Sequence, residues 1–486
     1  MKRNLRLLAV LLAALTVLTA CQPTPETEPV ANKGDRVLEE KISAAVPEQK
    51  QENAEEQGEA EAESPAPVHQ YTFPEKWEEV YDAGNDLILT FNAEITQKAD
   101  GVYPVYRTKK GSVERETVQK AAETLLPSPV SVHETGMTKD DWKKSMEQYI
   151  QDMEEHQARL RLPPEERGDG DDTVITQEQI DAELKWYSEQ MAAAPDSLAE
   201  TEVTDFSGIH IGGSQIYRLS DGDTAYISTG DTYWSIKRSV AESGWVIGSY
   251  DRWEYEDEGM VWIDASIEQE AALRQGQEML DTLGFEGFAL VDVYEGNYCG
   301  DDGWKHPMSG GYIMTYKRDF GGYPLLTSVG PAYYFEYGEG EDYAVNTYIG
   351  EEYIQIYADE KGVQYASYSN IKEVLKEENP SVELLPFEII QERIRKGLTY
   401  GLTGKYKAVE IYKIVLTVNT QRVANSDEYY EVPCWIVFYD DMDYSNYDAE
   451  ETQRIQNRVR APHFCQHQAL YINAVDGTVF HTNYGN

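Results

Sequence analysis

Apolar and polar positions follow different periods in different parts of the chain, and the changes of period divide it. Lys2, Arg3 and Arg6 precede an apolar run over residues 7–18, which stops at Thr19, Ala20 and Cys21. That run is too short for a comfortable membrane-spanning helix. Residues 21–70 then show no sustained apolar period, carry Pro23, Pro25, Pro29, Pro47, Pro65 and Pro67, and place seven glutamates between residues 48 and 63. A stretch that cannot bury apolar area does not offset its ordering entropy, so it predicts a disordered, self-repelling tether with a coil span of roughly 40 Å.

Folded structure is expected from Tyr71 onward. Leu87–Ile95 and Val102–Thr108 alternate as strands joined through Asp100 and Gly101, and residues 114–126 have helical spacing ended by Pro127, giving a β-β-α unit. Thr138 with Asp141 opens a polar helix through Leu160, stopped by Pro163 and Pro164; Thr176 with Gln179 opens a second through Ala193. The connection 168–172 reads as flexible, and this helical hairpin, 138–194, is expected to lie across a sheet or, with so few apolar positions, to project as a partner-facing arm. Residues 205–263, rich in Trp and Tyr, read as short strands broken at Asp221-Gly222 and Ser243-Gly244.

In the last 220 residues one order of elements occurs twice. In the first copy Ser266 caps a helix with Gln269 at the box position, Leu273, Leu280 and Leu283 face inward, and Gly284 ends it. Strands follow near 287–294, 311–318 and 352–358, and Glu360-Lys361-Gly362 turns the last into 363–368. In the second, Pro386 starts a helix with Phe387, Ile390, Ile394 and Leu398 on one face, closed by Gly401. Strands follow near 408–418, 431–439 and 468–474, with Asp476-Gly477 turning into 478–481. The predicted fold class is α+β: tandem helix-plus-antiparallel-sheet repeats with a helical hairpin insertion. The predicted divisions are 1–20, 21–70, 71–264, 265–380 and 381–486.

Leu18-Thr19-Ala20-Cys21 resembles a bacterial lipobox. The resemblance implies a signal peptide over residues 1–20, peptidase recognition of Leu18, Thr19 and Ala20, and a diacylated Cys21 as first residue of the mature chain. Two acyl chains suffice for stable anchoring. The ending Tyr471-Ile472-Asn473-Ala474-Val475-Asp476-Gly477-Thr478-Val479 is similar to the closing hairpin of PepSY-type repeats, from which the first copy departs by long insertions between residues 295 and 350. With the lipobox, the acidic tether, Glu360-Lys361-Gly362-Val363 and Leu384-Leu385-Pro386-Phe387-Glu388, the chain also resembles an uncharacterised family of lipoproteins from anaerobic gut Firmicutes. PepSY-type modules imply binding to, or regulation of, other envelope proteins and bring no catalytic residues.

Charge sharpens this expectation. The whole chain has 42 Lys and Arg against 87 Asp and Glu, a formal −45; removing the three basic residues of the signal leaves 39 against 87, or −48. That balance disfavours nucleic acid and anionic headgroups, so attachment to a membrane is left to acyl chains. Besides Cys21 there are Cys299, Cys434 and Cys465, too few for a disulfide framework; the one bridge worth considering joins Cys434 to Cys465. His463, Cys465 and His467 are donor types that suit zinc but lack a second ligand pair, so no metal is expected.

Motifs for chemistry are incomplete. Ser369-Asn370-Ile371-Lys372 has Ser-x-x-Lys spacing without the accompanying Lys-Thr-Gly strand, and Ser369 reads as the N-cap of a helix running to Lys376. His133-Glu134 lacks the second His of a zincin, Gly212-Gly213-Ser214 and Ser309-Gly310-Gly311 are not nucleophile elbows, and residues 169–173 lack the Gly and Glu of a calcium loop. Tyr outnumbers Phe 35 to 11, concentrated at Tyr333, Tyr334, Tyr337, Tyr343, Tyr348, Tyr353 and Tyr357, which suits half-exposed sheet faces or a contact surface. The expectation is a non-catalytic lipoprotein without cofactor, anchored at Cys21 on the extracytoplasmic face and binding an envelope protein. Its rivals are a glycan or small-ligand binder and an unrecognised hydrolase.

Overall fold

The computed structural model describes residues 36–44, 73–134, 136, 138–161, 175–239, 245–248, 261–299, 307–326, 333–337, 344–348, 351–423, 426–440, 449–459 and 468–481. The first half runs α1 (Arg36–Ala44), β1 (Lys76–Gly84), β2 (Leu87–Thr96), β3 (Val105–Lys110), α2 (Arg115–Leu125), β4 (Pro129–Glu134), α3 (Lys139–Leu160) and α4 (Gln177–Ala193). Next come β5 (Thr201–Glu202), β6 (Ser214–Leu219), β7 (Thr224–Thr229), β8 (Tyr233–Ser239), β9 (Trp245–Gly248) and α5 (Gln269–Leu283). They are followed by β10 (Phe288–Cys299), β11 (Pro307–Arg318), β12 (Tyr333–Tyr337), β13 (Ala344–Tyr348), β14 (Tyr353–Asp359), β15 (Gly362–Ser369) and β16 (Lys372–Asn379). The chain closes with α6 (Phe387–Leu402), β17 (Ala408–Arg422), β18 (Glu428–Asp440), α7 (Ala449–Val459), β19 (Gln468–Asn473) and β20 (Val479–His481). The fold class is α+β.

Two compact units divide the chain, and neither is continuous in sequence. One comprises residues 1–109, 319–350 and 373–486; the other comprises 110–318 and 351–372. The sequence divisions at 264/265 and 380/381 therefore do not coincide with the units, because the strands flanking them hydrogen-bond across the division.

In the second unit the strand order is β5-β4-β6-β7-β8-β15-β14-β11-β10-β9. The meander β10-β11-β14-β15 with α5 in front of it is the first expected repeat, and its pairing is intact despite the segment inserted between β11 and β14. A further copy lies beside it: α2, then β4, β6, β7 and β8 in antiparallel succession, joined to the first through the antiparallel pair β8 and β15. The two copies thus meet last strand to last strand. Val118, Ala121 and Ala122 of α2 and Ala272, Met279 and Leu280 of α5 are buried in one core with Trp234, Ile236, Ile354 and Ile356 of the sheet. Gly284 closes α5 at φ 76°, the left-handed conformation that a C′ glycine adopts without Cβ strain. Ser266 does not cap α5, whose N-cap is Glu268; its hydroxyl donates to the Gly310 carbonyl at 3.0 Å and accepts from the Glu360 amide at 3.3 Å.

A buried ionic cluster fixes this sheet. Arg318 Nε and Nη2 donate to the two oxygens of Glu352 at 2.7 and 3.0 Å, Tyr368 donates to the same carboxylate at 2.5 Å, and the Lys372 amide adds a fourth bond at 3.0 Å. Every donor aimed at the carboxylate comes from a neighbouring strand or turn, which is how a charge is tolerated at 6 % exposure.

In the first unit α6 covers the meander β17-β18-β19-β20, as expected of the second repeat. Phe387, Ile390, Ile394 and Leu398 are all buried, and the helix continues one residue past Gly401 to Leu402. The sheet is extended by β2, parallel to β17, and by β1, antiparallel to β2; β3 pairs with β18 and β16 rather than with β2, so the strands expected at 87–95 and 102–108 are not paired with each other. Pro433 stands mid-strand where one neighbour of β18, β3 at residues 428–431, gives way to the other, β19 at 434–439; its missing N–H falls in that gap. Residues 372–379 form β16 instead of the helix expected after Ser369, because pairing with β3 overrides the helix propensity of their Lys and Glu side chains.

The expected tether, 21–70, is corrected by α1. Leu38 and Ile42, four residues apart, are buried in the core of the first unit, 6 % and 1 % exposed. Among the described residues no helix is long and apolar enough to cross a membrane.

Candidate binding surface on the helical arm

Thr138 and Thr176 cap α3 and α4 as the sequence implies. Each side-chain oxygen accepts from the N3 amide, and Asp141 and Gln179 reach back to the N-cap amides at 2.9 and 2.8 Å. These capping bonds hold the Asp141 carboxyl below its usual range. The residues expected to stop α3 and to make the flexible connection, 163–164 and 168–172, lie outside the described residues. The two helices pack on each other, and none of the 22 residues of α3 is buried. The structure therefore supports the arm rather than a helix pair spread over a sheet.

The contact between the helices is an aromatic cluster. Trp142 meets Trp186 edge-on at 5.3 Å between ring centroids and Tyr187 at 6.1 Å; Tyr149, seven residues along the same face, lies 5.6 Å from Tyr187. Trp186 remains 43 % exposed and Ile150 38 %. The outer faces carry intrahelical pairs such as Lys144 with Asp140 at 2.8 Å and Lys143 with Glu147 at 3.7 Å, exposed contacts that solvent screens. At the base, Lys139 binds Asp196 at 2.7 Å, and Lys139, Lys143, Met191, Ala192 and Asp196 line an open concavity of about 490 Å³.

A smaller concavity of about 210 Å³ opens where the chain leaves the arm, lined by His133, Leu198, Glu200, Ile216, Arg218 and Thr224. Ser131 and His133 share one side of β4 by strand alternation. The Ser131 hydroxyl donates to Glu200, and Arg218 Nε lies 3.5 Å from the same carboxylate. Together with His133 they hold Glu200 below the usual carboxylate range. The Ser131 proton is thus directed at a carboxylate. Here only His133-Glu134 stands out in the sequence; Ser131 was missed, and Glu200 and Arg218 come from segments that no local pattern connects to it.

The other sequence candidates sort clearly. Leu18, Thr19, Ala20 and Cys21 lie outside the described residues, as do His463, Cys465 and His467. Cys434 is a free buried thiol whose ionisation burial pushes up to about 12. Ser369 and Lys372 are separated by a turn at Asn370, φ 54°, so they do not share the helix turn that a Ser-x-x-Lys nucleophile uses. Gly310 and Gly311 belong to β11, where an added Cβ would come within 2.3 Å of the Asp264 carbonyl oxygen and 2.2 Å of that of Ala358; close backbone approach, not chemistry, explains them. Tyr357 is fully buried, stacked on Tyr298 at 5.6 Å, which removes it from any contact surface. Among the described residues no group of three or more His, Cys, Asp or Glu is placed to hold a metal.

No protein-family model matches the chain, and no curated protein matches it. Among solved structures it is similar to an uncharacterized protein from Eubacterium rectale, at 14 % identity over 83 % of this chain and 93 % of that one, with a TM-score of 0.35.

Proposed function

We propose that this protein is a non-catalytic lipoprotein, anchored through Cys21 at the extracytoplasmic face of the cell membrane, whose α3-α4 arm binds another envelope protein. The observation that carries the reading is the arm's aromatic cluster. A chain that builds large cores elsewhere keeps Trp142, Tyr149, Trp186 and Tyr187 on a hairpin where Trp186 stays substantially exposed. Aromatic anchors surrounded by charged side chains are what protein interfaces use as energetic centres.

Charge narrows the partner. Over α3 there are six acidic and four basic residues and over α4 four and one, so the arm carries −2 and −3, or −5 in all. It fits a protein surface with an apolar pocket and a basic rim. Anchoring follows from the lipobox, since the anionic body would be repelled by anionic headgroups.

Palmitate labelling of the cells, followed by affinity recovery of the tagged protein and of a Trp186→Ala variant, tests both parts. The reading expects label on the wild type and none on Cys21→Ser, and an envelope protein that accompanies the wild type and is lost with Trp186→Ala. Equal labelling of the wild type and Cys21→Ser would overturn the anchor; equal recovery with the Trp186 variant would overturn the arm. A glycan-binding reading, prompted by the tyrosine-rich stretch, predicts instead binding on a glycan array that survives loss of Trp186.

A further inference from the structure

Helix α1 is the one described element between Cys21 and residue 73, and its manner of attachment is informative. Nine residues are fewer than an isolated helix needs to persist in water, so α1 is held by what it docks against. Leu38 and Ile42 supply the apolar contact at i and i+4 spacing. The polar groups that receive it are held by bonds of their own. The side-chain amide of Asn379, fully buried, donates to the Ile42 carbonyl at 2.7 Å, one of the C-terminal carbonyls that a helix leaves without an internal partner. The oxygen of that Asn379 side chain is already fixed by the Ser381 amide at 2.8 Å. On the other side Lys41 Nζ donates to the Val475 carbonyl at 2.7 Å, in a turn that Asn473 organises by accepting from the Val475 and Asp476 amides. Among the described side chains, Leu38, Ile42 and these two long-range hydrogen bonds are a small attachment beside the six buried residues of α6. Elements held this lightly open without global unfolding.

We propose that α1 is a releasable latch in the anchor segment, docked on the Asn379 and Val475 receptor, which sets how far the protein can stand from its membrane. The inference rests on the lipid anchor at Cys21. With α1 docked, 36 minus 21 puts the helix 15 residues from the anchor, and a fully extended chain of that length reaches at most about 50 Å. With α1 released, 73 minus 21 gives 52 residues and an upper reach of about 180 Å. Release therefore lengthens the maximum reach more than threefold while the described cores keep their other contacts. A partner close to the membrane is met with α1 docked, and one further out only after release.

The test compares the full lipidated wild type, Ile42→Asp and Lys41→Ala by hydrogen exchange, and the wild type and Ile42→Asp on a supported bilayer by neutron reflectivity. Amides of residues 36–44 in the wild type are expected to exchange at least tenfold more slowly than in the free peptide, yet faster than those of α6. Ile42→Asp is expected to bring 36–44 to the free-peptide rate, leave α6 protected and increase the mean distance of the body from the bilayer; Lys41→Ala is expected to lie between. The latch is overturned if wild-type 36–44 exchanges like free peptide, if Ile42→Asp also strips α6 of protection, or if the distance is unchanged once α1 is released. Palmitate labelling of the same preparations separates the cases: unlabelled wild type with protected α1 would refute the anchor while leaving the docking intact.

Discussion

Helices α3 and α6 are the instructive pair. The shorter, α6, buries Phe387, Ile390, Ile394, Gly397, Leu398 and Leu402 against a sheet; the longer, α3, buries nothing and touches chiefly its neighbour α4. Thr138 gives α3 a full capping box, whereas α6 starts at Pro386 with no side-chain cap, so the better local start belongs to the helix that buries less. What differs is the use of the apolar face. In α6 aliphatic side chains every three or four residues pay for the fold, whereas α3 and α4 spend Trp and Tyr on a small cluster that leaves Trp186 exposed. The contrast separates residues retained for stability from residues available to a partner.

The sharpest test of the stability half is the charge at the centre of the second unit. Glu352→Ala strands Arg318 and should lower the unfolding free energy by about 3–5 kcal/mol, read from urea melts. Ile394→Ala, at a fully buried position of α6, should cost about 2–5 kcal/mol by lost burial and a cavity. A loss below about 1 kcal/mol at either site would erase the proposed contrast. Alkali should act on the sheet body as well. Burial raises Cys434 from about 9 to about 12 and Tyr217 and Tyr316 from about 10 to about 12. The unfolded chain ionises first, so this contribution is complete below about pH 9 and is lost as pH rises from 9 through 12. A midpoint unchanged between pH 8.5 and 11.5 would contradict it. The smallest expected effect on stability is that of Trp186→Ala, within about 1 kcal/mol of the wild type, since the side chain has no core to leave.

Much of this contrast was legible in the residues themselves. Caps at Thr138 and Thr176, the Gly284 stop and the turns at 360–362 and 476–477 act over a few residues, and the structure has each. Strand β1 was not legible: its run Lys76-Trp77-Glu78-Glu79 is charged, and it is held by Trp77 stacked on Phe91 and by Arg395 of α6 binding Glu79 at 2.6 Å, a partner 316 residues away. The extra copy built on α2 was hidden because residues 135–213, arm included, interrupt it between β4 and β6. Leu38 and Ile42 were lost among the glutamates and prolines around them, since one i, i+4 pair is too little periodicity to outweigh composition. The candidate surface was half legible: the aromatic spacing of Trp142 and Tyr149 is in the sequence, but its exposure is decided by what the arm fails to touch.

Site-specific photo-crosslinking in cells, with the reactive group at position 186 and, as control, at Tyr400, 85 % exposed on α6, puts the arm to the test most directly. The account predicts one envelope protein joined from position 186 and none from position 400. Equal yields from both positions, or no adduct from 186, would contradict it.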